Sequence, residues 1–174
     1  MKSNLIYKNI EYYILPISLV FILSLSRLIP HPPNFTPIIT VAIMSSYFFK
    51  NVYLSAVVLI ISMVIGDIFI GFYVNMIFVY ISLLCITVFF FKASKRMNSK
   101  NLIIFVFTGS LVFFLISNLG VWILGDLYEK NLNGLIQCYI MAIPFFKNTL
   151  FSTVIFSYLS YMAGHYFKFS LNFR

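Results

Sequence analysis

Few side chains in this sequence could do chemistry, and they are spread thinly: Arg27, His31, Asn34, Asp67, Asn118, Trp122, Asp126, Glu129, Lys147 and Asn148. Asp67 is the sharpest case. It ends a long apolar run and is followed by Ile68, Phe69 and Ile70. A charge inside an apolar span costs about 2.5–3.5 kcal/mol on insertion scales, so it needs a partner or a cavity. Arg27, which closes an earlier apolar run, is the expected partner, and Lys147 is the second candidate. Such a pair either clamps two helices or lines a ligand pocket, and the residue types allow both.

The other polar residues read in the same two ways. His31 stands within Pro30-His31-Pro32-Pro33-Asn34. The only other histidine, His165, is far along the chain, so no metal site is expected. The prolines fix a rigid loop, suited to a pocket lid or to a plain connector. Asn118 and Trp122 are four apart and share one helix face. They offer one polar and one stacking contact to a ligand, or a tryptophan anchor at the membrane interface. Lys147-Asn148 falls where the last apolar run is interrupted. A half-broken helix with a lysine suits an anion, whereas a snorkelling lysine needs none. Cys85 and Cys138 lie far apart in apolar runs and read as small buried hydrophobes.

No phosphate-binding Gly-rich loop, Gly-x-Ser-x-Gly, His-Glu-x-x-His or Cys-x-x-Cys pattern is present. Four carboxylates and two histidines leave little for acid–base work. An enzyme is not expected, and neither is a cofactor.

The elements that hold these residues follow from composition. Hydrophobic residues make up 61% of the 174, charged residues 9%, and the mean hydropathy is +0.99. A soluble domain carries about 25% charged residues, so lipid has to be the solvent for most of this surface. A spanning helix needs about 20 apolar residues. The chain therefore reads as one all-α integral-membrane domain over 1–174, a polytopic bundle of six transmembrane helices.

The first span, uncleaved, covers roughly Tyr12 to Ile29. Thr36 then Pro37 reads as a helix cap with proline at the first helical position, opening a short second span to Phe49 that other helices must shelter. Lys50-Asn51 is a tight turn. The third span covers about Val52 to Ile70, the fourth Val74 to Phe91 and the fifth Leu102 to Leu124. Leu135 to Phe167 is too long for one plain span. Pro144 and Lys147-Asn148 are expected to break it, leaving Asn148 to Phe167 as the sixth span.

The net charge of +8 falls between apolar runs, which marks topology rather than nucleic-acid binding. Lys2, Lys8, Lys50, Lys92, Lys95, Arg96, Lys100, Lys168 and Arg174 fall on one side; Arg27, Lys130 and Lys147 fall on the other. Nine against three places both termini in the cytoplasm of a cell with this protein in its inner membrane. The costly polar residues named above then all sit toward the outer half.

Five segments carry a resemblance that covers nearly the whole chain: Arg27-Leu-Ile-Pro-His-Pro-Pro-Asn-Phe-Thr-Pro37, Gly66-Asp-Ile-Phe-Ile-Gly71, Tyr80, Phe113-Phe-Leu-Ile-Ser-Asn-Leu-Gly-Val-Trp122 and Gly134-Leu-Ile-Gln-Cys-Tyr-Ile-Met-Ala-Ile-Pro-Phe-Phe-Lys-Asn-Thr149. They resemble an uncharacterised family of small bacterial membrane proteins described as transport proteins. That family in turn is similar to the substrate-binding S-components of energy-coupling-factor transporters. The likeness implies capture of a small molecule from outside, with a transmembrane coupling subunit and ATPases supplied in trans. One departure stands out. S-components often carry a small-xxx-small alanine pattern for docking in their first span. Here that span has Ser18, Ser24 and Ser26, and the nearest equivalent is Ala42 and Ser46 in the second span.

Two functions are thus open. A substrate-binding transport subunit predicts an outward pocket containing Arg27, Asn34, Asp67, Asn118, Trp122 and Lys147, whose mixed charge suits a small polar or zwitterionic nutrient. A structural subunit of a membrane complex, similar to the rod-shape scaffolds with their Gly-Asp motif, predicts a closed bundle with every polar group paired.

Overall fold

The computed structural model describes residues 18–19 and 21–166. Every regular element among them is helical. Helical backbone covers residues 18–19 and 21–28 (α1), and then come α2 (Ile38–Phe49), α3 (Val52–Ile70), α4 (Met76–Ala93), a short 3-10 turn (Ser94–Arg96), α5 (Ser99–Leu124) and α6 (Leu132–Tyr166). Four of these, α3 to α6, are long and apolar enough to cross a membrane. Residues 12–17 of the expected first span, and Lys2, Lys8, Lys168 and Arg174, lie outside the described residues.

At the centre is the shortest of the fully described helices. Ten of the twelve residues of α2 are buried, and α3, α4, α5 and α6 all pack on it. Twelve residues rise only about 18 Å, well short of a hydrocarbon core of about 30 Å. The ends of such a helix would leave backbone groups in lipid, and enclosure by its neighbours removes that cost. Ala42 and Ser46 are both fully buried, and Ser46 Oγ donates to the Thr87 carbonyl of α4 at 3.0 Å. This small-residue face therefore packs inside the chain and is not offered to a docking partner.

Small and hydroxylated residues are interspersed with apolar ones inside the bundle, and large apolar residues coat its outside. On α3 the inward face carries Ser55, Val58, Leu59, Ser62, Met63, Gly66 and Asp67, while Tyr53, Val57, Ile61, Val64 and Ile68 of the same helix are exposed. Apolar packing gives helices little mutual attraction in lipid, so close approach and interhelical hydrogen bonds must hold them. Ser24 Oγ of α1 donates to the Ser62 carbonyl of α3 at 3.2 Å. Thr40 of α2 reaches α6, donating to the Thr153 carbonyl at 3.3 Å and meeting the Ser157 hydroxyl at 3.1 Å. These hydroxyls find partners at the helix seams, whereas the buried Ser45 and Ser110 hydroxyls have none among the described residues.

Two sequence expectations are corrected. Pro144 does not break α6, which runs unbroken for 35 residues from Leu132 to Tyr166. Proline removes one backbone donor, but packing along α5 and α2 holds the turns on either side, and membrane helices tolerate that loss. Nor does Thr36 cap α2. The N-cap position is Pro37 itself, and no side chain caps the helix. By contrast the Lys50-Asn51 turn forms as its residues dictate: Lys50 takes a left-handed φ of 49°, and Asn51 accepts from the Leu54 N–H at 3.1 Å.

The α4–α5 seam gives a direct test. A methyl group on Gly120 of α5 would collide with Cβ and Cγ of Phe78 on α4, atoms too near the backbone to swing away. Gly120→Ala is expected to destabilise the bundle by about 1–3 kcal/mol, read as a lower unfolding midpoint in mixed micelles. Gly71→Ala, with open space around its Cβ but φ at 102°, should cost less and act only through backbone strain.

Candidate ligand-binding site

The shortness of α2 creates a hollow. Ile39 and Ile43 pack against Gly109, in the middle of α5, and Thr40 bonds to the second half of α6. The later part of α5 and the first part of α6 therefore run on past the start of α2. They enclose a cavity of about 650 Å³ above its first turn, a size that suits a small organic ligand. Ile38 and Ile39 of α2 form the floor with Met63 of α3 and Arg27 of α1. Ser117 and Asn118 of α5 and Ala142 and Thr149 of α6 line the walls, and His31, Pro33 and Asn34 sit at the rim.

Arg27 and Asp67 meet as the sequence demanded. The Arg27 Nη2 group donates to Asp67 Oδ1 in a close ion pair, and Nη1 donates to the Met63 carbonyl at 2.9 Å. Tyr80 of α4 donates its hydroxyl to Asp67 Oδ2 at 2.6 Å. The Asp67 side chain is 0% exposed and that of Arg27 9%. Gly66 makes room for the guanidinium: a Cβ there would stand 2.5 Å from Nη1. Asp67 thus lies behind Arg27 and does not line the cavity, and both its oxygens are occupied. The pair clamps α1, α3 and α4 together, while the edge of Arg27 faces the cavity.

The remaining expected site residues divide. Asn34, at a left-handed φ of 62°, and His31 line the mouth. His31 Nδ1 donates to the Pro32 carbonyl at 2.8 Å, which leaves Nε2 as the acceptor of the neutral ring. Asn118 faces the cavity. Its Nδ2 donates to the Phe114 carbonyl at 2.8 Å, and its Oδ1 has no donor among the described residues. Trp122 does not line the cavity. Its indole N–H donates to the Glu129 carbonyl at 2.9 Å, and Lys130 Nζ donates to the Trp122 and Gly125 carbonyls. It pins the α5–α6 turn, with Lys130 closing the end of α5. Lys147 is exposed and outside the cavity. Asn148 Nδ2 donates to the Pro33 carbonyl at 3.0 Å and so ties the proline loop to α6, helped by an edge-on Phe35–Phe156 contact at 6.0 Å.

Sequence reasoning overlooked Tyr73, Asn75, Ser117 and Tyr128, which also line the cavity. Burial pushes the Tyr73 hydroxyl above its ordinary range; Asp67 adds to this and Arg27 opposes it. It is therefore a neutral donor at physiological pH. Tyr80, singled out in the sequence only through the family resemblance, proves to be the donor that the second oxygen of a buried carboxylate needs. At the opposite end of the bundle a hollow of about 740 Å³ is lined by Tyr47, Lys50, Phe91, Lys92, Lys95 and Met97.

Removing one member of the buried pair should cost far more than replacing both. Arg27→Ala or Asp67→Ala alone is expected to destabilise by about 3–5 kcal/mol, and the double Arg27→Met/Asp67→Leu by less than either. Tyr80→Phe should cost about 1.5–3 kcal/mol. Equilibrium unfolding in mixed micelles checks all four.

No curated protein and no solved structure matches this chain. One family does, over residues 8–171: the family of unknown function DUF6580. The chain belongs to that family.

Proposed function

We propose that this protein is a substrate-binding subunit for membrane uptake of a small nutrient, carried in the inner membrane by six spans with both termini in the cytoplasm. The cavity above α2 supports this most directly. A closed scaffold bundle would fill that volume with side chains, whereas here Asn118, Ser117 and the Arg27 edge face open space. The topology rests on charge. Lys50, Lys92, Lys95, Arg96 and Lys100 gather at the turns opposite the cavity, as cytoplasmic loops do, so the cavity faces outward. The chain carries no phosphate-binding loop, so uptake driven by nucleotide hydrolysis requires ATPases in trans, joined through a coupling subunit.

The scaffold reading keeps one observation in its favour. The Gly66-Asp67 motif is wholly committed to internal bonds, as a structural clamp would be. That clamp serves either function, and the lining of the cavity supports the first.

Accessibility tests the outward cavity. In a Cys85→Ser/Cys138→Ser background, Asn118→Cys should react with a membrane-impermeant maleimide added to intact spheroplasts, and Lys95→Cys only after permeabilisation. An Asn118→Cys site sealed from outside, or reached only from the cytoplasm, overturns the proposal.

A further inference from the structure

The geometry points to a small organic anion as the ligand, with a carboxylate seated at the floor of the cavity and an apolar body against its walls. This rests on reading the cavity as a ligand site. The charges that face it are one-sided. Arg27 presents its edge to the floor, and only one Nη1 and one Nη2 contact are spent on Met63 and Asp67. The other guanidinium N–H groups have no acceptor among the described residues. His31, at the rim, adds no negative charge. No carboxylate lines the cavity among the described residues: Asp67 is buried behind Arg27 with both oxygens bonded, Asp126 is exposed in the α5–α6 turn, and Glu129 Oε2 accepts from Asn131.

The floor adds a second source of positive potential. The α2 helix begins at Ile38 with no side-chain cap, and Ile38 and Ile39 line the cavity. First-turn N–H groups without a partner carry the positive end of the helix dipole. Short interior helices in transporters turn this end toward anionic groups. Arg27 and the start of α2 thus converge on one place. Because Asp67 already neutralises Arg27 as a unit charge, the site offers directed donors rather than a large net field. That favours one carboxylate over a multiply charged phosphate. The walls set the rest of the ligand: Phe113, Val121, Met141 and Phe145 are apolar, and Asn118 Oδ1 can accept one hydrogen bond.

A zwitterion, which the mixed charge of the sequence suggested, would need an acidic partner for its ammonium group. No carboxylate among the described residues lines the cavity to supply one, and Asp67 is used up in holding Arg27.

The test is a thermal-shift series on purified full-length protein, using the carboxylate, primary amide, amine and α-amino acid of each of a set of aliphatic and aromatic bodies of roughly four to ten carbons. Carboxylates should raise the unfolding midpoint most, amides less, and amines not at all. Affinity for the best carboxylate should fall about ten- to hundred-fold in Arg27→Gln/Asp67→Asn, which removes the guanidinium without stranding a buried charge. Asn118→Asp leaves the clamp intact and puts an acid in the wall; it should weaken carboxylates and admit amino acids. If amines or amino acids stabilise the natural protein best, the anion assignment is overturned while the ligand-site reading stands. If a well-folded sample responds to no compound of any class, both fall.

Discussion

A helix too short to bridge the hydrocarbon core on its own can survive inside a membrane only if its ends meet protein or an aqueous cavity rather than lipid, and the architecture here answers that constraint at α2. Four helices wrap it, its seams are closed by serine and threonine hydroxyls bonded to backbone carbonyls, and the chain approaches it through a proline loop that cannot be helical. The same shortness leaves room above its first turn. Cover for the helix and space for a ligand are therefore one structural fact, and the polar residues near that end acquire something to face.

Arg27, Asp67 and Tyr80 show how a charge is kept in such a place. Paired ions in a low-dielectric interior gain from attraction only if the remaining donors and acceptors are also met. Here α3 supplies a carbonyl, α4 a phenol, and Gly66 the absence of a side chain. Three helices are fixed in register by one cluster, and the guanidinium is held rigidly at the cavity floor. An arginine fixed in this way would lose little conformational entropy in binding the proposed anion.

Much of the fold was legible because hydropathy is a local property. The bounds of α3 and the turn after α2 could be read residue by residue, and the Arg27–Asp67 pair follows from the cost of an isolated charge. What could not be read depended on facing. Trp122 shares a helix face with Asn118 by spacing, yet the turn of α5 into α6 draws its indole to Glu129. Ala42 and Ser46 look like a docking surface until α4 is seen to occupy it. Pro144 reads as a break because local propensity is visible in sequence and the packing that overrides it is not. Tyr80 is one of 12 tyrosines, and nothing in its neighbours marks it as the partner of a residue thirteen positions earlier.

The bond from Asn148 to Pro33 joins the middle of the longest helix to the rim of the cavity. Its consequence is a linkage: three prolines restrict the backbone of the loop, so the edge of the aperture above α2 is positioned by α6 as well as by its own chain.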